Sequence, residues 1–194
     1  MSRTGLYRCR GDAARVGPLA RGVAIGAIET LLPVGSGWTR CAIERAVGSG
    51  EADLLALVRQ GAGMPATVCG CVLWRAIVPE AEILQVVVRH AWRGRGYGSR
   101  MLAACSDIML ASGVRDVFLE VASGNRPALA LYRSAGFRAM GRRTGYFGSQ
   151  DAVLMRSAVL LRSGYVNRFN LMRTERQNNC DENLLRKADT CSIQ

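Results

Sequence analysis

The stretch that decides the fold runs from Glu82 to Ser99 and reads EILQVVVRHAWRGRGYGS. Its first half is an apolar, β-branched run, Ile83, Leu84, Val86, Val87 and Val88, the pattern of a buried strand. Its second half is Arg93-Gly94-Arg95-Gly96-Tyr97-Gly98, followed by Ser99 and a segment with helical periodicity. A strand that feeds a glycine-rich turn and then a helix start is suited to holding phosphate. Glycines let the backbone come close, its N–H groups point at the anion, and the helix N-terminus adds partial positive charge. The spacing excludes two nucleotide motifs. Gly94, Gly96 and Gly98 do not make GxGxxG, and GxxxxGK[ST] is absent, the only lysine being Lys187. A strand–helix connection with no ligand is the alternative on this stretch alone, and the residues around it decide.

Upstream, apolar residues recur every three to four positions from Leu19 to Leu32, which predicts a helix stopped by Pro33 and Gly35-Ser36-Gly37. A second short helix is expected to start at Trp38-Thr39 and run through Val47, with Thr39 as N-cap. Residues 1–18 carry little signal beyond one edge strand and a turn at Gly11-Asp12. Ala52 to Arg59 and Thr67 to Ile77 read as antiparallel strands joined by a turn over Gln60–Gly63. Pro79-Glu80 turns the chain into the decisive strand.

Downstream, Leu102, Cys105, Ile108, Met109 and Val114 mark one helix face that ends near Gly113. Val117 to Val121 is a buried strand carrying one carboxylate. Pro127 suits a first helical turn, and Gly136 stops that short helix. Phe137 to Phe147 and Ala152 to Val159 close the pattern as a strand pair. The order is mixed α/β: helices, an antiparallel meander, a strand–helix–strand crossover, a further helix and a hairpin. Residues 1–157 are expected to form one domain. Residues 158–194 read as an extension without core-forming periodicity, polar and mixed in charge from Arg173 on, and are expected to be flexible.

Composition narrows the function classes. The chain of 194 residues holds 26 Lys+Arg against 15 Asp+Glu, a formal charge of +11, and 25 of those 26 are arginine. Such a field favours acidic partners, nucleic acid, ribosome surfaces or the phosphates of a cofactor, although a solvated arginine-rich surface explains it nearly as well. The seven cysteines are scattered without a CxxC pair, and His90 is the only histidine, so a Cys/His metal site is not expected. Cys69 and Cys71 alternate along a strand and are expected to share one face as packing. Cys105 should be a core thiol. No targeting segment and no span of membrane length is legible, and a cytoplasmic location in a reducing compartment is expected.

Glu120 lies in FLEVA, among apolar neighbours, where a buried carboxylate is costly unless it is paired or used. Alternatively it faces solvent from the other side of its strand. Tyr132 stands near the end of a short helix, a position usually given to packing, and Asn125 is ordinarily a turn residue.

The block LEVASGNRPALALYRSAGF, Leu119 to Phe137, closely resembles the LEVRxSNxxAxxLYxxxGF segment of bacterial ribosomal-protein-alanine N-acetyltransferases. These belong to the GCN5-related N-acetyltransferase (GNAT) superfamily. The Arg93–Gly98 turn is similar to that superfamily's Arg-x-x-Gly-x-Gly pyrophosphate loop. The resemblance extends from Trp38 to Met155, including RRTGYF and DAVLM. The intervals also match: 22 residues from Gly98 to Glu120 and 12 from there to Tyr132.

The resemblance implies the GNAT acyl-CoA N-acyltransferase fold, a mixed, mostly antiparallel sheet flanked by helices. It implies acetyl-CoA as co-substrate, no metal, and the N-terminal alanine of a small-subunit ribosomal protein as acceptor. Val86, Val87 and Val88 would offer backbone groups to the pantetheine arm. Gly94, Arg95, Gly96, Tyr97, Gly98 and Ser99 would cradle the pyrophosphate, with Asn125 also touching the cofactor. Glu120 would be the general base, directly or through water, and Tyr132 the general acid. Arg89-His90 stands where the family often has an acidic residue and proline; Ala122 and the extra Gly124 are further departures. A GNAT enzyme for another amine (a lysine side chain, a polyamine or an antibiotic) is the alternative, and a basic RNA-binding protein that keeps the fold without turnover is a third reading.

Overall fold

A computed structural model of the protein describes residues 3–9, 25, 26, 38–61 and 64–158. Seven strands form one sheet: β1 (Arg3–Cys9), β2 (Asp53–Gly61), β3 (Met64–Ile77), β4 (Glu80–Val88), β5 (Asp116–Ala122), β6 (Arg138–Phe147) and β7 (Gln150–Ala158). Their spatial order is β1-β2-β3-β4-β5-β7-β6. Every neighbouring pair is antiparallel except β4 and β5, which run parallel because a helix crosses between them. Among the described residues, three helices with both ends described flank the sheet: α1 (Arg40–Gly48), α2 (Tyr97–Ala111) and α3 (Arg126–Ser134). This is the mixed, mostly antiparallel architecture expected from the sequence.

Local chemistry explains the helix ends. Thr39 caps α1 as expected, its Oγ1 accepting from the Ala42 N–H at 3.2 Å. Pro127 falls in the first turn of α3, and Gly136 leaves that helix with φ +89°. The expected helix over Leu19–Leu32 is described only at Ile25 and Gly26, both helical. Its remainder, its stop at 33–37, the turns at 11–12 and 62–63, and residues 159–194 with the expected extension lie outside the described residues.

Two apolar clusters hold the sheet between its helices. The larger joins α2 and α3 to one face, with Met101, Cys105 and Met109 against Leu57, Trp74 and Leu119, and Leu129, Tyr132 and Phe137 against Val121 and Val153. The smaller joins Ile43 and Val47 of α1 to Leu54, Cys71, Leu73 and Val87 on the opposite face, with Ile25 beside them. Cys69 belongs to the first cluster and Cys71 to the second, so the expectation that they share a face fails. The cause is a β-bulge: the β2–β3 register jumps from Leu57↔Gly70 to Val58↔Val68, leaving Cys69 as the extra residue. In a period of two, one extra residue reverses the facing of every residue beyond it. Burial pushes the Cys71 thiol up to about 12 and Cys105 well above its ordinary value, as suits packing thiols.

Among the described residues, no helix is long and apolar enough to cross a membrane. No group of three or more His, Cys, Asp or Glu side chains among them is placed to hold a metal ion.

Candidate active site

The sheet opens where β4 and β5 part. Their parallel ladder runs from Glu80↔Asp116 to Ile83↔Leu119 and stops, although β4 continues to Val88 and β5 to Ala122. Beyond that point each strand is held on its outer side, β4 by β3 (Val88↔Gly70) and β5 by β7 (Ala122↔Ala152). A second bulge coincides with the parting. The β3–β4 register jumps from Trp74↔Ile83 to Leu73↔Gln85, so Leu84 is extra. The added residue twists β4 away from β5 and reverses its facing, so that Val86 and Val88 pack toward α2 and Val87 toward α1. Gly70 supports the same bend, since a Cβ there would lie 2.6 Å from the Val87 carbonyl oxygen. The inner edge of β4 from Leu84 to Val88 thus has no ladder partner in β5, and such an edge templates an extended ligand rich in amides.

At the end of β4 the chain enters a 3₁₀ turn, His90–Trp92, and then the glycine loop. Arg93 ties the loop back, its Nε donating to the Val88 carbonyl at 3.0 Å. Gly94 and Gly96 adopt φ +72° and +74°, a region in which a side chain would be strained. Gly96 is the N-cap of α2 and brings no side-chain cap, and the first turn carries no acidic residue. The first amide satisfied from Gly96 is that of Arg100, at 3.0 Å, so the N–H groups of Tyr97, Gly98 and Ser99 open α2 without an i−4 acceptor. Donors and helix dipole therefore point at one place. Gly98 packs against α3, where a Cβ would meet Leu131 Cδ2 at 3.0 Å. Arg95 and Arg59 flank the Trp92 ring, at 5.2 and 5.0 Å from its centroid. Arg95 is exposed and Ser99 stands on the exposed side of the first helical turn.

Glu120 and Tyr132 lie on opposite faces of β5. Val117, Leu119 and Val121 face the main core, and Glu120 alternates with them onto the α1 face, half-buried, with its side chain 22% exposed. Of the two readings left open by the sequence, burial or a solvent face, neither is complete. Arg143 of β6 reaches across β7 and donates from Nη1 to Glu120 Oε1 at 2.7 Å. Glu120 raises the Arg143 pKa through that hydrogen bond. Oε2 has no partner among the described residues. Tyr132 is buried in the main core beside Phe137, ring centroids 5.8 Å apart, and burial pushes its phenol up to about 12. Its hydroxyl makes no hydrogen bond to a described residue, so its proton is uncommitted. Asn125 does local work: its Oδ1 accepts from the Ala128 N–H at 3.2 Å and caps α3.

The residues singled out in the sequence thus lie at the free edge of β4, at the start of α2, on β5 (Glu120) and on α3 (Asn125 and Tyr132). Arg143 was not foreseen. It sits in the RRTGYF segment, but only the β5–β7–β6 pairing brings it to Glu120.

Comparison with known proteins agrees with this fold. Residues 40–137 match the acetyltransferase (GNAT) family. The N-alpha-acetyltransferase RimI of Mycobacterium tuberculosis is 43% identical over 79 residues, 40% of this chain and 48% of that protein. The [ribosomal protein bS18]-alanine N-acetyltransferase of Salmonella typhimurium is 32% identical over 85 residues, 42% of this chain and 57% of that protein. The matched segments therefore span only about half of these relatives. In the crystal structure of the ribosomal-protein-S18-alanine N-acetyltransferase from Escherichia coli the fold recurs with a TM-score of 0.60 at 20% identity, covering 82% of this chain and 94% of that one. The family match extends over just over half of the chain and includes the open strand, the glycine loop and both faces of β5, and the chain belongs to the acetyltransferase (GNAT) family.

Proposed function

We propose that the protein is an acetyl-CoA-dependent N-α-acetyltransferase whose acceptor is the N-terminal alanine of a small-subunit ribosomal protein, working in the cytoplasm. The observation that carries the reaction class is the opening between β4 and β5, which ends at an uncapped helix start with glycines in left-handed conformation. The acceptor is inferred from the two relatives named above and from the Leu119–Phe137 block.

The residues present fit the co-substrate. The free edge of Val86, Val87 and Val88 would take the amides of a pantetheine arm as an added strand. The start of α2, Gly94 through Ser99, would take the pyrophosphate, and Asn125, the N-cap of α3, would also touch the cofactor. Bound there, acetyl-CoA supplies the thioester carbonyl and the thiolate that leaves. The chain's own groups move the protons. An α-amino group has a pKa of about 7.7–8.0, so part of it is ammonium near neutrality and cannot attack. Glu120, with Oε1 held by Arg143 and Oε2 open, takes that proton directly or through one water. Tyr132, its pKa raised to about 12, stays protonated at working pH and gives its proton to the departing sulfur from the opposite face of β5. Backbone N–H groups on the β4 edge would polarise the carbonyl. The amine attacks directly, and no enzyme nucleophile is used.

The test is mass spectrometry of an alanine-starting ribosomal peptide incubated with acetyl-CoA and the full chain. One acetyl group on the α-amine is the expected result. No gain, with acetyl-CoA still bound, would reject the peptide acceptor and turn the search to lysine side chains, polyamines and antibiotics. Loss of cofactor binding as well would reject the reaction class.

A further inference from the structure

On the flank of α3 turned away from the glycine loop lies a cleft of about 590 Å³, lined by Ser123, Arg126, Leu129, Arg133, Ala139, Gly141, Arg142 and Val153. It is not the opening between β4 and β5. Leu131 contacts the glycine loop at Gly98, whereas Arg126, Leu129 and Arg133 recur at helical spacing on another stripe of α3 that faces β6 and β7. None of the residues assigned above to catalysis or to acetyl-CoA lines it.

Its chemistry is two-part. The floor is apolar, formed by Leu129, Ala139 and Val153, with Gly141 adding no side chain. The rim carries three exposed guanidinium groups, Arg126, Arg133 and Arg142. Two other arginines on this end of the sheet are matched by carboxylates, Arg143 by Glu120 at 2.7 Å and Arg156 by Asp116 at 2.9 Å, while Arg138 is not matched among the described residues. The three rim arginines have no ion-pair partner among the described residues. Three like charges gathered in one cleft without a counter-charge repel one another, and a polyanion relieves that repulsion. An arginine rim over an apolar floor, with no aromatic ring in the lining, suits a nucleotide through its phosphate charge and the apolar faces of its sugar and base. An acidic peptide offers charge but no flat apolar face. The chain's formal charge of +11 extends the attraction beyond three contacts.

We propose that this cleft binds the phosphodiester backbone of single-stranded RNA, one nucleotide seated on its floor. The proposal deepens the reading above: an acceptor carried on a ribonucleoprotein would be held by its RNA while its N-terminus enters the opening between β4 and β5. RNA and acceptor would then share one enzyme through two sites.

The experiment is fluorescence anisotropy of a labelled single-stranded RNA about ten nucleotides long, titrated with the full chain across a salt series. The same titration is run with Arg126→Gln/Arg133→Gln/Arg142→Gln, whose folding is checked by thermal melting and by acetyl-CoA binding. Because single strands lose about 0.7 in log–log salt slope per phosphate contact, removing three contacts should reduce the slope by about 2 and weaken binding at least ~10-fold near 0.1 M salt. Saturating CoA should leave RNA binding unchanged. Equal affinity and slope in the triple variant would overturn the proposal even if the chain binds RNA elsewhere. Absence of RNA binding by the parent chain would overturn it too, as would displacement of the RNA by CoA. Equal binding of an oligo-glutamate peptide would transfer the cleft to acidic peptides. Acetylation of the free alanine peptide is read separately, so a failed acceptor assignment and a failed RNA site give different results.

Discussion

The two halves of the β4–β5 pair do opposite things. From Glu80 to Ile83, β4 lies in register with Asp116 to Leu119, and Ile83 and Leu119 close the main core beneath the ladder. From Leu84 to Val88, β4 is richer in β-branched residues, with Val86, Val87 and Val88, yet has no partner in β5. By strand propensity the open half would pair at least as well as the closed one; one extra residue at Leu84 separates them. The paired half turns hydrogen bonds and apolar burial into stability. The open half leaves backbone groups unpaired and places Glu120 and Tyr132 on either side of the strand that borders it. Such local departure from an ideal sheet is where function tends to sit in a fold whose other parts agree with one another.

Substitutions on β5 should separate the halves. The largest expected effect is on chemistry in the open half. Glu120→Gln keeps the shape and removes the proposed base, and should lower kcat by about 10²- to 10⁴-fold with acetyl-CoA affinity unchanged. Turnover equal to the parent's would remove Glu120 from that role. One residue earlier, in the paired half, Leu119→Ala should show the reverse profile. Leu119 is buried in the main core, and its truncation is expected to cost about 2–5 kcal/mol in a urea titration while the folded fraction still binds acetyl-CoA. If stability is unchanged, the closed ladder is not the support it is taken to be.

The smallest effect is seen at alkaline pH. The native Tyr132 phenol, with its pKa raised to about 12, keeps its proton where an unfolded tyrosine near ~10 loses it. The unfolded state therefore binds fewer protons between those values, and stability should fall as pH rises from about 10 to about 12. The loss would reach at most about 2.7 kcal/mol for two pKa units. Below pH 10 this contribution is fully present. Tyr132→Phe should abolish that alkaline decline, measured by urea unfolding at pH 9 and pH 11, and should lower kcat at neutral pH. An identical decline in Tyr132→Phe would assign it to other groups.

Much of this is legible in the chain alone. Thr39 before an apolar-periodic run announces a cap, and Pro127 with Gly136 brackets a short helix. Both signals are local, set by which backbone groups a neighbouring side chain can reach. Periods of two and 3.6 separate strands from helices because each buries one face. The Leu119–Phe137 block carried the family, since it keeps several residue types at fixed intervals.

Other features were illegible for the same physical reason. A bulge is a mismatch between two strands and has no signature in either. The shared face expected of Cys69 and Cys71 failed on one bulge, and the parting of β4 from β5 depends on another. Arg143 is one of 25 arginines until β7 lies between β6 and β5 and aims it at Glu120. The arginines of the cleft also become a site only when α3 is laid against β6.

The sequence by itself determined which segments are strands and helices, where the phosphate-type turn lies, and to which family the chain belongs. These depend on short-range sterics, periodic burial and the fixed intervals between residue types within the chain. Tertiary structure alone decided where the sheet opens, which faces Glu120 and Tyr132 occupy, and which arginines are neutralised. Those depend on strand register and on charges far apart in sequence, and register is fixed only when whole strands pack together.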